Sequence, residues 1–403
     1  MKALTSVLIA AAITFAFQVV PAGVSAQEGG SDTAYVFETL IGIPVTGVKD
    51  QHRSGTCWAF AGISFLEAEI LRKTDKVTDL SEMFVVRYAY AEKAVKYVRH
   101  HGNANFGPGG QGHDVINVIA KYGIVPEEHY QGLEIGEEKH NHGEMDAVLN
   151  AFLDAVVKRR GGKLSPVWPE AYGAILDAYL GSVPDSFVVE GVEYDPLSYA
   201  ASLGIVADDY IELTSYRSYP FYETVNLEIP DNWSGDLYYN LPLDEFMEVI
   251  DHALENGYSI CWDGDVSDRG FSHRDALAIL PEKDLESLDG TERERWEKLT
   301  EEEKTKELYS FKTPGTEKKV DQAMRQEHFD NYSSTDDHLM HLCGIVEDQH
   351  GTRYYVTKNS WDDDSNSNGG YLNMSESYVK LNTIAIMVHK DALPVKIAKK
   401  LGL

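Results

Sequence analysis

Apolar positions along this chain change period. From Thr56 onward, Cys57, Phe60, Ala61, Ser64, Phe65, Ala68 and Leu71 recur at helical spacing and fill one broad face. This predicts a helix whose first turn holds a cysteine. Ser81 followed by Glu82 reads as the capped start of a second helix. Gly107-Pro108-Gly109-Gly110-Gln111-Gly112 is a glycine-rich loop, and a helix over 113–122 follows it, stopped by Gly123. Between 131 and 240, helical stretches at 144–160 and 169–180 alternate with aromatic, turn-rich segments. An amphipathic helix covers 243–255 and ends at Asn256-Gly257. From Tyr258 the pattern becomes that of strands, at 259–262, 342–347, 352–358, 371–374 and 383–389. The highly charged 282–319 segment predicts a solvated helical insertion. No internal repeat is visible. An order that is mainly helical and then mainly β predicts an α+β protein with two lobes.

The first 26 residues stand apart. Lys2 gives a short positive start, 3–20 is largely apolar, Pro21 and Gly23 break the run, and Val24-Ser25-Ala26 suits cleavage after small residues. A signal peptide over 1–26 and an exported mature chain, periplasmic or secreted, are expected. An uncleaved anchor is the alternative, but the run is near the lower limit for spanning a bilayer. No other segment is apolar enough to span. Residues 27–36 read as a polar, mobile leader, and 27–403 as the folded unit. A net charge of -29 disfavours nucleic acid as a partner, because phosphate binding needs clustered Lys and Arg. Three cysteines are too few for a disulfide framework. Cys261 and Cys343 sit in apolar runs and read as small buried hydrophobes.

Cys57 has a different context. At a helix start, backbone N–H groups and the helix dipole favour an anion, so its thiol pKa is expected to fall, further still beside an imidazole. Gln51, six residues earlier, offers an amide that, with the Cys57 N–H, could hold an oxyanion. Downstream lie two histidines, His338 and His341. His338 stands at the mouth of an apolar run with Gly344 beyond it and reads as the base, and His341 as a packing residue. Asn359, ending another run, can accept from the imidazole and fix its orientation. Trp361 can shield that bond. A cysteine nucleophile, a histidine base and an orienting amide are the parts of an acyl-transfer enzyme.

These fragments resemble the papain-like cysteine peptidases. The match runs through Gln51, Cys57-Trp58, Leu80-Ser81-Glu82, Gly109-Gly110, His338 to Gly344 and Asn359-Ser360-Trp361. Two departures narrow it. Ser54 stands where relatives usually carry a disulfide cysteine. Cys57 and His338 lie 281 positions apart, about twice the roughly 130–150 usual in the family. Both departures point to the bleomycin hydrolase and aminopeptidase C group, as do Tyr239 to Leu243, Trp262 to Val266 and His338-Leu339-Met340.

The resemblance implies a two-lobed papain-like fold, with a helical lobe carrying the cysteine and a β-rich lobe carrying His338 and Asn359. It implies large insertions, near 131–230 and 282–335. It implies peptide substrates, Gly109 and Gly110 as the strip that pairs with an extended peptide, no cofactor, no metal, and a homo-oligomer, hexameric in that group. An aminopeptidase is the first expectation. That group's exopeptidase character is attributed to a C-terminal arm, and here the sequence stops at Leu403 without one, so an endopeptidase or dipeptidase is the alternative. A peptide-binding scaffold without activity is the second alternative. Two decoys stand beside these signals. Residues 364–369 match the start of a calcium loop but Ser375 stands where its last ligand belongs, and His140, His142 and Glu144 read as a solvated loop rather than metal ligands.

Overall fold

The computed structural model describes residues 34–159, 161–283, 285 and 288–403. The segment read as a signal peptide lies outside the described residues. Helices α1 (Cys57–Thr74), α2 (Glu82–Arg99) and α3 (Gly112–Tyr122) form where the apolar spacing places them. Ser81 caps α2 by accepting from the Phe84 N–H. Gln111 and Asp114 form a reciprocal capping box on α3, which stops at Gly123 with φ at 82°, a left-handed angle that favours glycine. Then come α4 (Gly143–Val157), α5 (Trp168–Leu180), α6 (Pro196–Ser202) and α7 (Leu243–Glu255). The charged segment folds as α8 (Gly290–Lys298) and α9 (Glu301–Leu308), largely solvated apart from buried Trp296. Last are α10 (Gln322–Asp330), α11 (Glu376–Asn382) and α12 (Val395–Leu401).

The strands are β1 (Phe37–Gly42), β2 (Phe187–Val189), β3 (Val192–Tyr194), β4 (Tyr210–Thr214), β5 (Thr224–Asn226), β6 (Leu237–Asn240), β7 (Ile260–Gly264), β8 (Phe271–Ser272), β9 (Leu277–Ala278), β10 (His338–Asp348), β11 (Arg353–Lys358), β12 (Tyr371–Ser375) and β13 (Thr383–His389). β2 and β3 pair with each other. The rest join one sheet in the order β5-β6-β4-β13-β7-β10-β11-β12-β9-β8, with β1 also on β10.

The expected order, mainly helical and then mainly β, holds with exceptions. β1 precedes every helix, and β4, β5 and β6 lie inside the part read as helical and aromatic. Each of these three spans three to five residues, too short to show a period. β5 pairs with its neighbour β6, β6 with β4, and β4 joins the main sheet through a remote partner, with Ala385 opposite Thr214. β10 also starts four residues before the predicted 342, so His338 is a strand residue, opposite Gly264 of β7. Gly344 lies where β1 crosses; a Cβ there would stand 2.5 Å from the Ile41 carbonyl oxygen.

Two apolar clusters build the molecule. The first packs α1 to α5 through residues such as Phe65, Phe84, Val115, Leu149 and Leu176. The second packs α7, α11 and α12 on the sheet through Trp262, Met340, Leu342, Tyr378 and Ile397. Strand alternation divides β10 between them, since Leu339 belongs to the first and Met340 to the second. Cys261 and Met387 join Leu339 on the face toward α1. Each fully buried large apolar side chain here contributes roughly 1.5–3 kcal/mol, so α1 is held firmly along β10. The first turn of α1 sits at the start of that strand: the Leu339 N–H acts on Cys57, and seven residues on Ser64 meets His341.

Candidate active site

Packing of α1 on β10 delivers Cys57 to His338. Cys57 is the first residue of α1, and the backbone N–H of Leu339, next to His338, favours its thiolate. His338 Nε2 is 2.8 Å from Asn359 Oδ1. With Asn359 accepting, Nε2 carries the proton and Nδ1 is left for the thiol. Asn359 follows directly on β11, the neighbour of β10, so one strand pair sets both side chains. The Trp361 ring lies 4.8 Å from that of His338, centroid to centroid, and covers the imidazole.

Two further groups hold this arrangement: His273, which the local sequence does not mark, and Ser360, which lies within the Asn359-Ser360-Trp361 match. Asn359 Nδ2 donates to His273 Nδ1 at 3.2 Å, which fixes which way the amide faces. His273 comes from the β8–β9 turn, and its ring lies 4.9 Å from that of Trp361. The Ser360 hydroxyl donates to Gln51 Oε1 at 2.6 Å, and the Gln51 N–H donates to the Ser360 carbonyl at 2.9 Å. With Oε1 occupied, the Gln51 Nε2 donor is the end available to an oxyanion.

Gly109 and Gly110 lie immediately before the α3 cap. Neither has a positive φ, so glycine is needed for space rather than for backbone angle. A Cβ on Gly109 would fall 1.8 Å from Asp231 Oδ2, and one on Gly110 would crowd Asp114 Oδ2 at 2.8 Å and the Trp58 ring at 3.0 Å. Trp58 anchors the loop by donating from Nε1 to the Pro108 carbonyl at 2.9 Å. Buried Lys93 donates to the carbonyls of Gly107 and Gly109.

The expected fall in the Cys57 pKa needs correction. Burial pushes the thiol up to about 12, the Leu339 N–H opposes this, and the charges of Asp336, Asp263 and Asp231 add to it. Burial likewise carries His338 down to about 4, with the Asn359 hydrogen bond acting the other way. Desolvation outweighs the helix terminus at this depth. Each group alone is held neutral. The charged pair forms by moving the thiol proton to His338, which leaves the net charge of the site unchanged.

His341 stands elsewhere. It is fully buried opposite Cys261, with Nδ1 2.8 Å from Ser64 Oγ, and Lys358 Nζ donates to the same hydroxyl at 2.7 Å. Three positions from His338 on one strand, its ring points to the other face. Asn366, in the calcium-like segment, is spent on its own turn: Oδ1 accepts from the Asn368 and Gly370 N–H groups, and Nδ2 donates to the carbonyls of His273 and Tyr371. His140 and His142 are buried rather than solvated, which corrects that reading. Their neighbourhood is Phe60, Met145 and Leu180, and burial takes both imidazoles down to about 4.

Comparison with known proteins agrees with this geometry. Residues 39–151, which hold Gln51 and Cys57, match the papain family cysteine protease model, and residues 290–402, which hold His338 and Asn359, match the peptidase C1-like family model. The chain belongs to the papain-like cysteine peptidases. Within the family it is 22% identical to aminopeptidase G of Lactobacillus delbrueckii subsp. lactis, over 89% of this chain and 84% of that one. It is 23% identical to aminopeptidase E of Lactobacillus helveticus, over 91% and 85%. The crystal structure of PepW from a Lactobacillus strain shares the fold, with a TM-score of 0.66 at 19% identity, over 90% of this chain and 84% of that one. This papain-like chain therefore keeps the two-lobed plan. Among the described residues, no helix is long and apolar enough to cross a membrane.

Proposed function

We propose that this chain is a thiol aminopeptidase that works through a thioester acyl-enzyme. Cys57 Sγ attacks the peptide carbonyl as its proton passes to His338 Nδ1. The Cys57 N–H and Gln51 Nε2 hold the resulting oxyanion. His338 returns the proton to the leaving amine, and the C–N bond breaks. Water, deprotonated by His338, then opens the thioester, releasing the acid and restoring the thiol. Asn359 keeps the imidazole aligned throughout, and Gly109 and Gly110 let the substrate backbone approach closely.

The observation that carries this reading is the 2.8 Å contact of His338 Nε2 with Asn359 Oδ1, beside a thiol at a helix start. Preference for free N-termini draws on the aminopeptidases G, W and E, which align over most of their own length. One peptide offered with a free and with an acetylated N-terminus tests it. Faster cleavage of the free form is expected, and loss of all cleavage in Cys57→Ala. Equal cleavage of both forms would make the chain an endopeptidase. The pattern over 1–26 supports export to the periplasm or beyond, which N-terminal sequencing of the mature protein would check. The family resemblance supports a homo-oligomer, which light scattering would measure.

A further inference from the structure

Three carboxylates lie near enough to the nucleophile to act on its charge: Asp231, Asp263 and Asp336. Each disfavours the Cys57 thiolate, so each acts on the reacting atom. They arrive from separate parts of the chain. Asp263 is on β7, opposite Leu339 of β10. Asp336 lies two residues before His338 and accepts from Gln111 Nε2 at 3.0 Å. Asp231 comes from the loop that follows the first insertion and rests on Gly109, where the Cβ of any other residue would collide with it.

Asp263 is the informative member. It is 3% exposed, no N–H or hydroxyl group donates to its carboxylate oxygens among the described residues, and its one side-chain hydrogen bond is to another acid, Asp336. Among the described residues, no Lys or Arg forms an ion pair with Asp263, Asp336 or Asp231. With one proton shared between them the two acids satisfy one bond, and their remaining oxygens are buried with Gln111 Nε2 as the one further donor among the described residues, which is costly. Burial and Asp336 hold the Asp263 carboxyl far above the usual range, and burial and Asp231 push Asp336 up to about 7. Within hydrogen-bonding chemistry, the group that relieves such a site is a cation with several N–H donors.

We propose that Asp263 and Asp336, with Asp231 at the rim, form the subsite that receives the substrate's free α-ammonium group. The inference rests on the aminopeptidase reading above. It assigns N-terminal recognition to side chains of the cleft wall. The strip at Gly109 and Gly110 would lay the peptide across the cleft, and these acids would stop it where the chain begins. A Lys or Arg side chain could bring the same ammonium or guanidinium chemistry, so the test separates the two sources.

Three aminomethylcoumarin amides suffice: Leu, acetyl-Leu and acetyl-Arg-Leu. The parent protein is expected to prefer Leu over acetyl-Leu, and acetyl-Arg-Leu to gain little over acetyl-Leu. In Asp263→Asn and Asp336→Asn, the kcat/KM ratio of Leu to acetyl-Leu should fall about 10–100-fold. Half-buried Asp231→Asn is the third variant, with a smaller fall, and a cooperative melting transition checks folding of each. An unchanged ratio in all three folded variants would overturn the proposal and leave the aminopeptidase reading intact. Efficient cleavage of acetyl-Arg-Leu, abolished by Asp263→Asn, would assign the subsite to a side chain instead. Equal cleavage of Leu and acetyl-Leu by the parent would overturn the aminopeptidase reading, and this subsite with it.

Discussion

The Ser360 hydroxyl donates to Gln51 Oε1 at 2.6 Å, and this bond leaves the Gln51 Nε2 end of the amide as the donor for the proposed oxyanion hole. It joins the loop before α1 to the residue after Asn359, so both halves of the catalytic apparatus share one link. Removing an oxyanion donor outright, as in Gln51→Ala, should lower kcat/KM by about 10²–10³-fold. Ser360→Ala only frees the amide to rotate, so a loss of about tenfold is expected. Labelling of Cys57 by a thiol-directed epoxide should persist in Ser360→Ala. Steady-state kinetics on one peptide substrate measure both, and unchanged kcat/KM in Ser360→Ala would contradict this role.

Asn359 is braced on its far side by His273. The 3.2 Å contact sets the amide orientation, and the same ring disfavours a proton on His338. In His273→Phe the Asn359 amide loses its acceptor and kcat should fall. The acid limb of the kcat/KM profile should move to higher pH, because a group opposing the imidazolium has gone. A variant that merely loosened the turn would lower activity without moving that limb.

Gly109→Ala would place a methyl 1.8 Å from Asp231 Oδ2. Asp231 must swing away or the strip must retreat, and either change weakens substrate pairing. KM should rise about tenfold, equivalent to about 1.4 kcal/mol of binding, while epoxide labelling of Cys57 continues. An unaltered KM would show that substrate does not run along this strip.

Stability should fall as pH rises from 6.5 to 8. Burial is the main cause that raises Glu82, Glu317 and Asp336 to about 7 and Glu127 to about 8. In the unfolded chain such groups ionise near pH 4, so the folded state holds protons that the unfolded state has already released. Their contribution is present at low pH and is lost as pH climbs through the folded values. His113 has the same sign. Burial alone would lower it, but Glu212 at 2.5 Å, Asp114 and Asp236 raise it to about 9. His140, His142 and His338, taken down to about 4, act oppositely, but only below about pH 6.5. A thermal melt series across this range should show a falling midpoint, and Glu127→Gln should reduce the slope.

The catalytic parts and most of the long elements are legible in the order of residues alone. Cys57, His338 and Asn359 each sit in a local signature, and α1, α2, α3 and α7 show apolar spacing over eleven or more residues, which is a local property. His338 opens the apolar run and His341 lies inside it, and of the two it is His338 whose ring meets Asn359. Long-range packing sets the rest. β4, β5 and β6 are too short to show a period, and they join the main sheet through the pairing of β4 with β13, far along the chain. His273 braces Asn359 from 86 residues away, and nothing in its own neighbourhood marks it. Asp231, Asp263 and Asp336 read separately as three acids among many in a strongly acidic chain. The thiol's resting state departs from the expectation because a helix start is visible in a sequence and depth of burial is not. Desolvation depends on everything packed around a group, and that is settled only when the two lobes close on each other.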